Sequence, residues 1–225
     1  MQAPPPDDIP RVEQVQPASF NAPHGLQFKV VDDGATVMKS LFEAVAAERE
    51  QRSTDPDAIA RGVTAEIDRW RVDDKGITDF YLTANAPGVI ARYLADAAAA
   101  DPDLAIPSDR QLAFEQIAPD RWRSYLLLPT VELDAAAITK ATAITDPSTE
   151  RPGLLVDFTP TAARKFGDLT ARIAGHKLAV LLDGSVVSAP VIQGPITGGQ
   201  ASITFGAEQY DAGALAQAIL AEAAP

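Results

Sequence analysis

The 225-residue sequence has no cysteine and only two histidines. Without thiols, disulfides, thiolate nucleophiles and cysteine-ligated zinc are excluded. The absence suits an oxidising envelope, where no stray thiol is wanted, and equally a cytoplasm. Histidine is the usual general base near neutral pH, so its scarcity argues against acid–base catalysis. His24 lies in a proline-rich leader that cannot hold it in place. His176 follows Gly175 at an expected helix C-terminus, where a cation merely favours the dipole. H-x-x-x-H, G-x-S-x-G, S-x-x-K, the Walker Gly-Lys-Ser/Thr and the EF-hand aspartate loop are all missing. No catalytic residue, cofactor or metal is expected.

Basic charge is also short. Nineteen Lys and Arg face thirty-one Asp and Glu, a net charge of −12. Nucleic acid is disfavoured, because its phosphates demand basic patches, as is docking by charge onto an anionic lipid surface. No apolar run approaches the ~20 residues of a membrane helix. What remains is a composition 46% hydrophobic, enough to bury a core.

Carboxylates are plentiful, but Asp32-Asp33 and Asp73-Asp74 read as turn residues that accept local backbone hydrogen bonds. Arg69, Arg71, Arg121 and Arg123 alternate with Trp70 or Trp122. Cation–π packing or base stacking uses such pairs, yet the acidic charge favours ordinary amphipathic surface.

Residues 1–24 form a Pro-rich disordered tether, with prolines at 4, 5, 6, 10, 17 and 23. Met1 is expected to replace a removed signal or anchor segment, a native disordered leader being the alternative. "GLQFKVV" is a strand, and Val37, Leu41 and Val45 mark a helix from Thr36. Ser53-Thr54-Asp55-Pro56 reads as a cap for a second helix with Ile59, Val63, Ile67 and Trp70 on one face. "ITDFYLT" is a strand, and Pro87 opens a helix whose face is Val89/Ile90, Tyr93/Leu94 and Ala97. "QLAFEQI" and "RWRSYLLL" form a hairpin about Ala118-Pro119-Asp120. Asp134 caps a short helix containing Ile138.

The last third is clearest. "GLLVDFT" suits the middle of a sheet. Thr159 caps a helix with Ala162, Phe166, Leu169 and Ile173 on one face, and Gly175 ends it. Asp183-Gly184 joins "KLAVLL" to "SVVSAPVI" in a tight hairpin. Gly198-Gly199 turns into "ASITF", and a final helix over 208–222 centres on Leu215, Ile219 and Leu220. The expected fold is α+β: a mostly antiparallel sheet with helices packed on one face, ferredoxin-like, preceded by a smaller α+β region.

Ala163, Phe166, Thr170 and Gly175, then Leu178 to Gly184, Ser188-Ala189-Pro190-Val191-Ile192, Ile196, Gly198-Gly199, Ala201 and Ile203 form one ordered motif. It resembles the head portion of the first periplasmic domain of SecD, an accessory subunit of the bacterial Sec translocon. The likeness is clearest over 153–225 and extends upstream to Ile106. One departure is that Phe205 precedes Gly206, where the family places Gly before Phe. The resemblance divides the chain into the tether, a region 25–104 read as base-like, and a SecD-head-like domain 105–225. It implies exposure to the periplasm or cell envelope, with no membrane span of its own. The family's proton-driven membrane helices are not carried over.

The family-motif residues offered as contact positions are Asp183, Gly184, Ser188, Ala189, Pro190, Ile192, Gln193, Ile196, Thr197, Gly198 and Gly199. Pro190 lacks a donor and belongs at an edge or bulge. If "SAPVIQGPITGG" is exposed, it offers a surface to an extended client or a partner protein; folded inward, it is core. The resemblance points to a non-enzymatic module that binds exported polypeptide or docks on a translocation or envelope complex. The alternative is a structural protein–protein interaction domain reusing the fold. A carboxylate-dependent hydrolase ranks last.

Overall fold

The computed structural model describes residues 25–52, 62–147, 150–206 and 211–223. The leader with His24, and the cap Ser53 to Pro56 with Ile59, lie outside the described residues. The chain runs β1 (Leu26–Val30), α1 (Thr36–Arg52), β2 (Thr64–Val72), β3 (Lys75–Ala84) and α2 (Pro87–Ala100). Then follow β4 (Gln111–Ala118), β5 (Arg121–Leu127), β6 (Leu133–Asp134), β7 (Ile138–Thr145) and β8 (Pro152–Phe158). It ends with α3 (Pro160–Arg172), β9 (Leu178–Leu182), β10 (Ser185–Ser188), β11 (Gln200–Thr204) and α4 (Ala212–Ala223).

The architecture is α+β. Among the described residues the strands form three antiparallel sheets, ordered β2-β3-β5-β4, β10-β9-β1-β6 and β11-β8-β7. The first carries α1 and α2 on one face. Leu41, Val45, Ile90, Tyr93 and Leu94 bury there against Leu82, Ala84 and Leu126. The alternation of β3 and β5 supplies that face, since even positions such as Leu82 and Leu126 point one way. Pro87 stands at the start of α2, where its missing N–H costs nothing.

The other two sheets share a core with α3 and α4. Phe28 of β1, Phe158 of β8 and Phe166 of α3 meet edge to face or tilted, with Leu154, Val156, Leu169, Ile173 and Ile219 around them. β8 is central in its sheet, as its apolar run requires. Thr159 caps α3 by accepting from the Ala162 N–H, 3.2 Å. β1 pairs along its whole length with β9, Leu26 opposite Leu182 and Val30 opposite Leu178. A strand from the start of the chain thus sits inside a sheet built otherwise from 133–188.

Three expectations are corrected. Val63, Ile67 and Trp70 do not share a helical face, because 64–72 is β2, paired residue for residue with β3. Ile138 opens β7; Asp134 caps only the 3-10 turn Ala135–Ala137, accepting from Ala136 N at 3.1 Å. Leu220 faces solvent, since the buried stripe of α4 is Ala212, Ala216 and Ile219.

At Gly153, β8 and β11 approach so closely that a Cβ would lie 2.5 Å from the Ile203 carbonyl oxygen. Gly153→Ala should therefore cost about 1–3 kcal/mol, as overpacked sites do. Urea denaturation checks this; an unchanged midpoint would mean that the two strands separate freely.

Candidate contact surface and buried charge cluster

Asp183 and Gly184 adopt φ of 48° and 82°, the left-handed pair that a two-residue hairpin turn needs. Asp183 Oδ1 accepts from Gly25 N, 3.1 Å, tying the turn to the start of β1. β10 is an edge strand with a register shift between Val186 and Ser188, and Pro190 lies just beyond this bulge. Ala189 is half-buried against Ala179 and Val186.

The segment after it is neither wholly core nor wholly surface. The Pro190 carbonyl accepts from Leu178 N (3.0 Å), and Val191 bridges Lys177. Ile192 is buried; its N–H donates to His176 O (2.9 Å) and its carbonyl accepts from Gly175 N (2.8 Å). Ile196 packs on the main core and donates its N–H to the buried Thr170 hydroxyl, 2.8 Å. Between these anchors Pro190, Gln193, Pro195, Thr197 and Gly198 are exposed. Gly199, at φ 72°, accepts from Phe158 N and leads into β11, an end strand of its sheet.

Sequence reasoning missed a second constellation. It occupies the face of β2-β3-β5-β4 opposite α1 and α2. Asp68 and Asp79 stand directly across from each other on β2 and β3. Each accepts from two cations: Arg123 at 2.6 Å to both, and Lys177 Nζ at 3.0 Å to Asp68 and 2.7 Å to Asp79. The Arg123 guanidinium lies 3.6 Å from the Tyr81 ring centroid, and Lys177 Nζ 4.7 Å from that of Trp70. Arg123 is buried, so the amphipathic-surface reading of the Arg–Trp pairs fails for it. Trp70 Nε1 donates to the Gly175 carbonyl at 2.8 Å, and Tyr125 donates to Glu115 at 2.5 Å.

Asp33 completes the cluster. It is more than a turn residue, because its side chain is fully buried. Oδ2 accepts from Lys177 N at 2.9 Å and lies 3.3 Å from His176 Nδ1. Oδ1 has no hydrogen-bond partner among the described residues. Burial, aided by the Asp79 charge, pushes the Asp33 carboxyl up to about 6 against the pull of Lys177 and His176. Burial also raises Glu115. For Asp68 burial pulls upward, but Arg123 and Lys177 outweigh it and hold the carboxyl below the ordinary range. Beside the cluster, a cleft of about 500 Å³ opens between the β2–β3 turn and the end of α3, lined by Val72, Lys75, Ile77, Arg172 and His176. Its chemistry is ionic adhesion: two cations clamp a pair of opposed aspartates, joining residues 68–125 to the start of β9.

Known proteins are similar to this sequence. SecD of Acidaminococcus fermentans is 30% identical over 171 residues, 76% of this chain and 38% of that one. SecD of Acetobacter pasteurianus is 27% identical over 232 residues, 97% of this chain and 43% of that one. The chain thus spans about two fifths of the length of these relatives. A crystal structure of SecDF in a super-membrane-facing form aligns with 87% of this chain and 28% of that chain at 24% identity, with a TM-score of 0.39. The family model described as SecDF, P1 head subdomain, matches residues 111–225. That match takes in the C-terminal half with the whole motif from Ala163 to Ile203, and the chain belongs to the SecDF P1 head subdomain family.

Proposed function

We propose that this chain is a non-catalytic, extracytoplasmic module of protein translocation that binds exported polypeptide in extended form through residues 189–199. Family membership supports the association with translocation, since the relatives are named protein translocase subunits. The observation that carries the contact reading is the alternation along the loop. Ile192 and Ile196 are pinned, while Pro190, Gln193, Pro195, Thr197 and Gly198 face solvent. A preformed loop of low charge costs little ordering entropy on binding. Beside it, β11 ends its sheet, so an extended segment can add its main chain there while the loop contacts side chains. Recognition through main chain is tolerant of sequence, which suits clients that differ from one another. Within the 25–104 region, α1, β2, β3 and α2 serve in this reading, together with β4 and β5, as the base that orients the loop, while β1 joins the C-terminal core. No helix among the described residues is long and apolar enough to cross a membrane.

A photo-crosslinking residue at Gln193 or Thr197, in living cells, tests the proposal. Adducts with many unfolded exported chains are expected. Capture of one abundant folded partner would instead make the fold a structural joint. No adduct from an intact protein would remove the loop from function.

A further inference from the structure

We propose that Asp33 is a proton-operated latch that sets how firmly residues 176–178, and with them the Pro190–Ile192 end of the contact loop, are held. The inference concerns regulation of the loop proposed above and rests on that reading for its use; the latch itself is a property of the free chain.

The geometry is a relay of three layers. Asp33, in the corner between β1 and α1, grips Lys177 N and faces His176 Nδ1. His176 O and Lys177 in turn hold Ile192 and Val191, and Leu178 N holds the Pro190 carbonyl. Whatever loosens Asp33 therefore loosens the root of the loop. His176 is half-exposed on the neighbouring cleft, which gives protons a route to a carboxyl that has no exposed surface of its own.

The charges around Asp33 leave it the member that gives way. Lys177 and His176 face it from the α3–β9 link and Asp79 from β3; Asp68 of β2 shares Lys177 with Asp79, and Arg123 of β5 bonds the two aspartates behind it. Among the described residues, Asp68 and Asp79 bond two buried cations, Arg123 and Lys177, Asp33 feels Lys177 and His176, and Glu115 feels Arg123, Lys177 and Arg151. Asp33 keeps one bonded oxygen and one orphan, the arrangement that favours a neutral carboxyl.

An acid whose folded value is raised to about 6 from an ordinary 3.8 holds its proton more tightly when closed than when opened to water. The contribution to closure is complete below the lower value and is lost as pH rises through the upper one. Local opening at this corner should accordingly be about tenfold more frequent at pH 7 than at pH 5.

Native-state hydrogen exchange at Lys177, Leu178 and Ile192, corrected for intrinsic rates, reads this on the free chain. The tenfold change is expected in the parent, absent in Asp33→Asn, and retained in His176→Gln. A parent without pH dependence, an unaltered dependence in Asp33→Asn, or its loss in His176→Gln alone would each overturn the latch. Should Asp33→Asn not fold, a carbon-13 titration of the parent's Asp33 carboxyl decides: a midpoint near 6 sustains it and one near 4 ends it. None of these readouts involves a client, so the latch and polypeptide binding fail separately.

Discussion

Asp79→Ala should lose about 3–5 kcal/mol of unfolding free energy, the scale found when one partner of a buried ion pair is removed. The Asp79 side chain is 8% exposed, and its Oδ2 takes hydrogen bonds from Arg123 and Lys177, at 10% and 6%. Removing it leaves two buried cations to share Asp68, which is half-open to water. Neither cation can swing out: Arg123 is stacked on Tyr81, and Lys177 lies over Trp70 at the head of β9. Exposed ion pairs elsewhere are worth only ~0.2–1 kcal/mol, so the contrast is large. Urea denaturation of Asp79→Ala measures it. Substituting the whole group by apolar residues of similar volume should restore most of the loss, because desolvating the ions is itself costly. A loss below about 1 kcal/mol for Asp79→Ala would show that water reaches the cluster, and the clamp would have to be abandoned.

Phe28→Ala is the second large effect, about 3–5 kcal/mol. Phe28 is 1% exposed and stands 6.0 Å from both Phe158 and Phe166, edge to face. Truncation forfeits the transferred area and leaves a void that the β1–β9 ladder prevents from collapsing. Phe28→Leu should retain most of the stability, with a loss below about 1.5 kcal/mol. Calorimetry of both variants tests the claim that β1 belongs to the C-terminal core. Equal and small losses would mean that β1 packs loosely there. The two sites share no partner, so their effects should add.

Local chemistry was legible in the sequence where it is written in consecutive residues. Asp183-Gly184, Thr159-Pro160, Pro87 and the Ala118 to Asp120 turn all stand where dihedral preference or capping demands. β2 was misread for a physical reason. Val63, Ile67 and Trp70 mimic a helical stripe, and the true period of two is hidden because the inward face carries Glu66 and Asp68 as well as Trp70 and Val72. A strand that buries charge does not alternate in hydrophobicity. The cluster was invisible for the same cause together with distance, since Asp33, Asp68, Asp79, Glu115, Arg123 and Lys177 come from separate segments. One signal was available: two aspartates placed opposite each other on a hairpin require cations from elsewhere. Lys177, heading an otherwise apolar strand, was the residue to ask about.

The place of β1 also bears on how the molecule is made. Gly25 and Asp183, 158 positions apart, hydrogen-bond at the end of the β1–β9 pair. A chain delivered N-terminus first at ~5–20 residues per second exposes Leu26–Val30 for roughly 8–30 s before β9 follows it. Through that interval the two residues of β6 are the sheet partner available to β1, and its other edge stays open. Vectorial synthesis therefore makes native pairing of β1 wait on the last third of the chain, so this sheet closes late however early its first strand appears.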